Sequence, residues 1–305
     1  MLGHTLALLT VAASAALASS SGPAPLSPAA LLLARDGKGY ADPNDDGGSM
    51  FTIVNGTYPP GLGEPLNVII SADSDPEVLV DSTFKGGFQN YMLAAELSTE
   101  CLGGNFGSKQ NASLDASHRN VTQIGVLRQN FGDPYLGSCK ETFDGGQHLR
   151  YWRQNSTNAL FLAVSIEMSL AKQHDIVPNG YNLGRDYLVG NLTGHQIDSR
   201  NVTNATVFTG NVTYGNYSYS TEARYVSGLL NASSDGVNHY ITVEVDNHPA
   251  IDGLVAVLTV KITARPPGVK AAAPGTAGAT PAAKRTASVL LLSGVLALGA
   301  GWLLL

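Results

Sequence analysis

Cysteine is nearly absent from this sequence. The 305 residues hold two, Cys101 and Cys139, so no disulfide-stapled framework is available and at most one internal bond can form. In an oxidising compartment an isolated pair bonds, and a Cys101–Cys139 disulfide is expected. Closing that loop stabilises the fold by about 4 kcal/mol on a chain-entropy argument. Two buried free thiols are the alternative. Catalytic signatures are also missing. There is no G-x-S-x-G elbow, H-E-x-x-H, P-loop or CxxC, which leaves the common hydrolase, zinc-protease, nucleotide and dithiol chemistries without a motif. No internal repeat occurs. Charge is sparse at 14% of residues, and no basic run exists inside the body of the chain. The formal net charge is -6. All 24 acidic residues fall between Asp36 and Asp252. Of the 18 basic ones, Arg35, Lys284 and Arg285 lie outside 36–276, so that segment carries 15 against 24, a net of -9. An acidic surface of this kind excludes nucleic acid and anionic lipid headgroups as expected partners.

What is present concentrates first at the two ends. Leu6 to Ala18 is apolar and small, and Ala16-Leu17-Ala18 fits a signal-peptidase site, so residues 1–18 read as a signal peptide. Residues 19–35 read as a flexible Ser/Pro/Ala-rich leader. At the other end, Val289 to Leu305 is an unbroken apolar run preceded by the basic pair Lys284-Arg285. A retained single-pass helix through 289–305 would want its basic residues on the far side. A glycosylphosphatidylinositol (GPI) signal instead needs small residues at the attachment site, a polar spacer and an apolar tail. Gly275 and Gly278 both satisfy that pattern. The expectation is a lipid-anchored protein on the outer face of the plasma membrane or in the cell wall. Residues 265–288 serve as stalk and spacer, and 289–305 as the signal tail. A single domain spans 36–264, long enough for one well-buried core.

Ten N-x-[ST] sequons mark that domain: Asn55, Asn111, Asn120, Asn155, Asn191, Asn201, Asn204, Asn211, Asn216 and Asn231. A used site faces solvent because the glycan is bulky and hydrophilic. The five between Asn191 and Asn216 therefore predict a surface region there. Near the start, Asp42-Pro43-Asn44-Asp45-Asp46-Gly47 matches the first half of a calcium loop, with Asp42, Asn44 and Asp46 as candidate ligands. The twelfth position is Ile53 where a bidentate Glu belongs. The other reading is a solvated turn, and no other cofactor is expected.

Periodicity gives the elements. Pro65 to Ser71 reads as a buried strand. Ser74-Asp75-Pro76-Glu77 has the form of a capping box. A helix is predicted over about 87–99, with Phe88, Tyr91, Met92 and Ala95 facing the core and Glu96 and Glu100 as a solvated pair. Residues 102–120 read as a loop. Gln147–Gln154 and Ala159–Ile166 read as a hairpin, and Gly180–Val189 as a helix. Glu222–Leu230 and Val237–Val245 read as a second hairpin around Asn231–Gly236, and Leu254–Ile262 as a closing strand. The fold class is α+β, a mostly antiparallel sheet or sandwich with a few helices.

Polar chemistry is densest in the middle. His148 and Arg150 share a strand face with Trp152, His174-Asp175 follows the next strand, and Arg185 sits on the predicted helix. In one pocket, a histidine oriented by Asp175 would act as general base, with Arg150 or Arg185 holding an anionic group. Otherwise these groups form ion pairs that clip the hairpin to the helix. Asp246-Asn247-His248 gives two potential ligands, short of the four a closed metal site needs.

The segments DGKGYADPNDDGGSM, EPLNVIISADSDPEVL, GDPYLGSCKETFDGGQHLRYWRQ and HDIVPNGYNLGRDYLVGN resemble a family of secreted fungal proteins, mainly of basidiomycetes, that carry predicted GPI anchors. The order PLNVIIS, HLRYW, HDI…GRDYLVGNL also resembles the LssY C-terminal domain. The resemblance implies an extracellular location and no established reaction. Two functions follow as expectations. One is a non-catalytic surface or wall glycoprotein, with the membrane and wall polysaccharide as its neighbours. The other is a secreted hydrolase or carbohydrate-active or ligand-binding protein that uses His148, Arg150, His174, Asp175 and Arg185.

Overall fold

A computed structural model of the chain describes residues 39–115, 119–245 and 247–271. The signal peptide, the leader, Gly275, Gly278 and the apolar tail lie outside the described residues. Eleven strands are present among the described residues. They are β1 (Thr52–Ile53), β2 (Val68–Ile70), β3 (Leu97–Thr99), β4 (Asn111–Ser113), β5 (Asn120–Thr122), β6 (Gly125–Gln129), β7 (Gly146–Arg153), β8 (Leu160–Glu167), β9 (Val207–Tyr214), β10 (Tyr217–Val226) and β11 (Val255–Ala264). Four helices accompany them: α1 (Phe88–Leu93), α2 (Gly137–Asp144), α3 (Gly180–Thr193) and the single turn α4 (Tyr240–Val243). The class is α+β and largely sheet.

Eight strands form one curled sheet in the order β3-β6-β7-β8-β2-β11-β10-β9. Every neighbouring pair is antiparallel except β2 with β11. A small sheet, β1-β4-β5, lies apart. Strand alternation sends side chains to two cores. Leu160, Leu162 and Val164 of β8 join Val68, Ile70 and Leu258 in one cluster, which also holds Phe88 and Tyr91 of α1 and Leu188 and Leu192 of α3. Phe161 and Ala163 join Ile69, Val257 and Trp152 in the other, with Ala112 of the small sheet. Apolar positions on both faces explain why β8 reads as a continuous hydrophobic run.

The curl brings α1 against the far strands. Tyr91 Oη lies 2.7 Å from Thr221 Oγ1 on β10, and Asn90 Nδ2 donates to Tyr219 Oη at 2.6 Å. Helix α3 occupies a gap in the sheet. β2 has three residues and β8 eight, so the end of β8 outruns its neighbour. Asn67 stands in for the missing strand: its side chain donates to Val164 O and Tyr181 O and accepts from Val164 N. Gly184 lets the helix close on that edge, since a Cβ there would lie 2.6 Å from Ser165 Cα.

The hairpin over 147–166, the buried strand near 65–71 and the closing strand are where the sequence places them. Other expectations need correction. The helix predicted to about 99 stops at Leu93; Glu96 turns the chain with φ 61° and β3 follows. Glu96 and Glu100 therefore share no helix face. The capping box starts no helix. Ser74 Oγ accepts from Val260 N and Asp75 Oδ2 from Ile262 N, so both side chains complete the edge of β11. The predicted loop 102–120 contains β4. The stretch 237–245 holds the single turn α4 rather than a strand, and β10 pairs instead with β9 through the turn at Gly215-Asn216.

Candidate functional site

The five central residues do not meet in one cleft. His148 and His174 converge on one carboxylate, Glu167, at 3.3 Å each. Arg150 Nη1 donates to Gln123 Oε1 at 2.9 Å, which also accepts from Gln110 N. Asp175 turns to His239, whose Nδ1 lies 2.6 Å from Asp175 Oδ1; Thr242 Oγ1 donates to the same oxygen. Arg185 belongs to a separate network with Asp186 and Asp252. Two surface grooves of about 850 and 870 Å³ are lined by none of the five.

The group around Glu167 is built by adjacent strands and one disulfide. Arg128 on β6 sits opposite His148 on β7, and Glu167 ends β8 on the same face. Nη1 of Arg128 lies 2.8 Å from both Glu167 Oε2 and Glu141 Oε2, and Nε lies 3.3 Å from Glu100 Oε1. Glu100 precedes Cys101, and Glu141 on α2 follows Cys139. The Cys101–Cys139 disulfide, with Cα atoms 4.4 Å apart, fastens both acids over the guanidinium. Sequence reading paired the cysteines but missed Arg128, Glu100, Glu141 and Glu167. Acids flanking each cysteine at offsets of one and two were the available signal.

Burial sets the charge states. Glu141 is fully buried and its carboxyl is pushed up to about 7 by desolvation, against the pull of Arg128. Desolvation also raises Glu167, again opposed by Arg128. His148 is held well below its usual value by burial first and then by Arg128 and Arg150, so it is neutral. Burial works against the charge of Arg128, but Glu167 and Glu141 more than restore it. Nε2 of His148 and Oε1 of Glu141 have no partner among the described residues, and both are closed off from solvent. A neutral imidazole sealed in this way cannot reach a substrate. The arrangement can hold α2 and the 100–104 segment to the sheet and can exchange protons; it presents no nucleophile.

The Arg185 network is closed differently. Nε and Nη2 bond Asp186, Nη1 and Nη2 bond Asp252, and Nη1 also donates to Leu254 O. Tyr225 Oη donates to Asp186 Oδ1 at 2.7 Å, and its ring lies 5.1 Å from the guanidinium carbon. All five donors of Arg185 are used.

The half calcium loop forms a capped 3-10 turn, Pro43–Asp46. Asp42 Oδ1 accepts from Asn44 N and Nδ2 at 2.9 Å, and Asn44 Nδ2 also donates to Leu229 O. That amide nitrogen is shared between the turn and Leu229 O, and no group of three or more His, Cys, Asp or Glu among the described residues is arranged to hold a metal. The sequon asparagines lie outside the core: eight are exposed, and Asn111 and Asn191 are half-buried. No helix among the described residues is long and apolar enough to cross a membrane. Together these features define a sheet-rich α+β protein with one disulfide and two buried arginine networks. Compared with family models, curated proteins and solved structures, the chain matches none.

Proposed function

We propose that this is an extracellular glycoprotein, held to the outer face of the plasma membrane by a GPI anchor at Gly275 or Gly278, that acts at the cell surface or in the wall without catalysis. One observation carries the reading: none of its ten sequon asparagines is buried. Eight of the ten are exposed, where a hydrophilic glycan meets solvent; Asn111 and Asn191 are half-buried, and Asn191 Nδ2 donates to Ala95 O. The single disulfide agrees with an oxidising compartment. The alternative of a hydrolase or carbohydrate-active protein required His148, Arg150, His174, Asp175 and Arg185 in one open cleft, and their partners separate them. Membrane lipid and wall polysaccharide are the neighbours this location implies, and the resemblance of the sequence segments to secreted basidiomycete proteins motivates the reading.

The test uses intact cells that express the full chain. Phosphatidylinositol-specific phospholipase C is expected to release the protein, and peptide N-glycosidase to lower its mass by several glycans. Recovery of peptides from Val289 to Leu305 in the mature, membrane-held protein would sink the anchor.

A further inference from the structure

We propose that the groove beside residues 199–204 seats the N-linked glycan of Asn204, so that this sugar is a docked part of the fold. The inference rests on the glycoprotein reading above. The groove holds about 850 Å³, within the roughly 300–1,000 Å³ that small ligands fill. Its lining suits an N-acetylated sugar. Val202, Pro249 and Leu254 give apolar surface for a ring face or an acetyl methyl, and Asn179 and Asn182, already bonded to each other through Asn182 Nδ2 and Asn179 Oδ1, add a polar amide edge.

Direction supports the assignment. Asn204 itself lines the groove, as does Ser227. The atom that carries the sugar, Asn204 Nδ2, lies 3.4 Å from Ser227 Oγ. Asn204 sits on a turn closed by Thr206 N donating to Thr203 O, and the sequon hydroxyl of Thr206 accepts from Thr203 N. The neighbouring sequon is placed differently. Asn201 Nδ2 donates to Asp198 Oδ2 at 3.3 Å, and Asn201 is absent from the groove. A covalent tether also favours the chain's own sugar over a free one. Short links give effective concentrations near millimolar, so contacts too weak to capture a free sugar are occupied.

The experiment takes the full chain secreted from a eukaryotic host. Glycopeptide mass spectrometry reads occupancy at Asn204, Asn211 and Asn216, and a time course of native glycosidase digestion follows release at each. The Asn204 glycan is expected to leave roughly ten-fold more slowly than the other two, as a mostly docked tethered group should. After denaturation the three rates should agree. Ala232 is exposed and lines the groove. Ala232→Arg, which fills the space, should raise the Asn204 rate to that of Asn211. Equal native rates at the three sites would overturn docking and leave the glycoprotein reading standing. An unmodified Asn204 beside occupied Asn211 overturns the proposal by removing its ligand. Absence of glycan at all three removes the glycoprotein premise there.

Discussion

Arg128 and Arg185 are both taken out of water, yet their partners balance them differently. Arg185 meets two aspartates, a backbone carbonyl and a tyrosine ring, and none of its N–H groups is left over. Its second acid, Asp252, keeps 28% side-chain exposure, so water screens part of the surplus charge. Arg128 meets three glutamates, of which Glu141 is fully buried and Glu100 and Glu167 nearly so. Around it Glu141 Oε1 and His148 Nε2 go unpaired. A buried ion pair is neutral in energy at best unless its lone pairs and protons are matched. By that measure Arg185 is a matched anchor for α3. The Arg128 cluster carries excess negative charge, restrained by a disulfide and relieved by protonation.

Removing each arginine tests the contrast most strongly. Arg128→Met leaves three carboxylates buried without a cation and is expected to destabilise the fold by about 3–5 kcal/mol near neutral pH. Because burial raises Glu141 and Glu167, these two can take up protons, and much of the loss should return at pH 5. Arg185→Met should cost about 3 kcal/mol and recover less, since Asp252 already reaches solvent. Urea unfolding of both variants at pH 5 and pH 7.5 reads the difference. Equal recovery would show that the two clusters do not differ in charge balance.

The next effect isolates one proton. Glu141 stands near 7 in the fold against an ordinary value of 4.5. A carboxyl raised in this way binds its proton more tightly folded than unfolded. Its stabilising contribution is full below about 4.5 and is lost as pH rises through about 7. The change is about 3 kcal/mol at most, from the size of the shift. Glu141→Gln keeps a neutral group of the same shape. It should match the parent near pH 5 and exceed it at pH 8. His148 works in the opposite direction, because its unfolded form gains a proton below about 6.5, but it is common to both proteins and drops out of the comparison. Parallel stability curves for parent and variant would show that Glu141 does not titrate in this range.

How much of this was legible in the sequence differs between the two networks. The hairpin of β7 and β8 shows in local alternation, and the pairing of Cys101 with Cys139 follows from there being no other cysteine. Arg185 and Asp186 stand side by side on a visible helix. The Arg128 cluster draws on five separate segments, and only tertiary register brings Arg128 opposite His148. Nor does local spacing reveal that Asp175 prefers His239, 64 residues away. The helix predicted through residue 99 failed for a related reason. Its apolar positions fit a helix, but the sheet recruits Leu97–Thr99 as an edge strand on β6, and tertiary pairing overrides propensity. The Ser74–Glu77 box shows the same competition, its side chains serving β11 instead of a helix end.

The smallest expected effect probes the claim that the Arg185 network is fully matched. Tyr225 Oη donates to Asp186 Oδ1, which also accepts from Arg185 Nε. Tyr225→Phe deletes that donor and keeps the ring beneath the guanidinium. The carboxylate retains Arg185, so the loss should be about 1 kcal/mol, the net value of one hydrogen bond, and nearly independent of pH between 5 and 8. Tyr151→Phe is the control. Tyr151 Oη donates to Asp81 Oδ1 at 2.7 Å, in a bond that contains neither buried arginine. Similar small losses in both variants would agree with an Arg185 cluster already complete in charge. If Tyr225→Phe instead lost several kcal/mol, the Arg185 network would not be complete without the tyrosine. The contrast with Arg128 would then be one of degree.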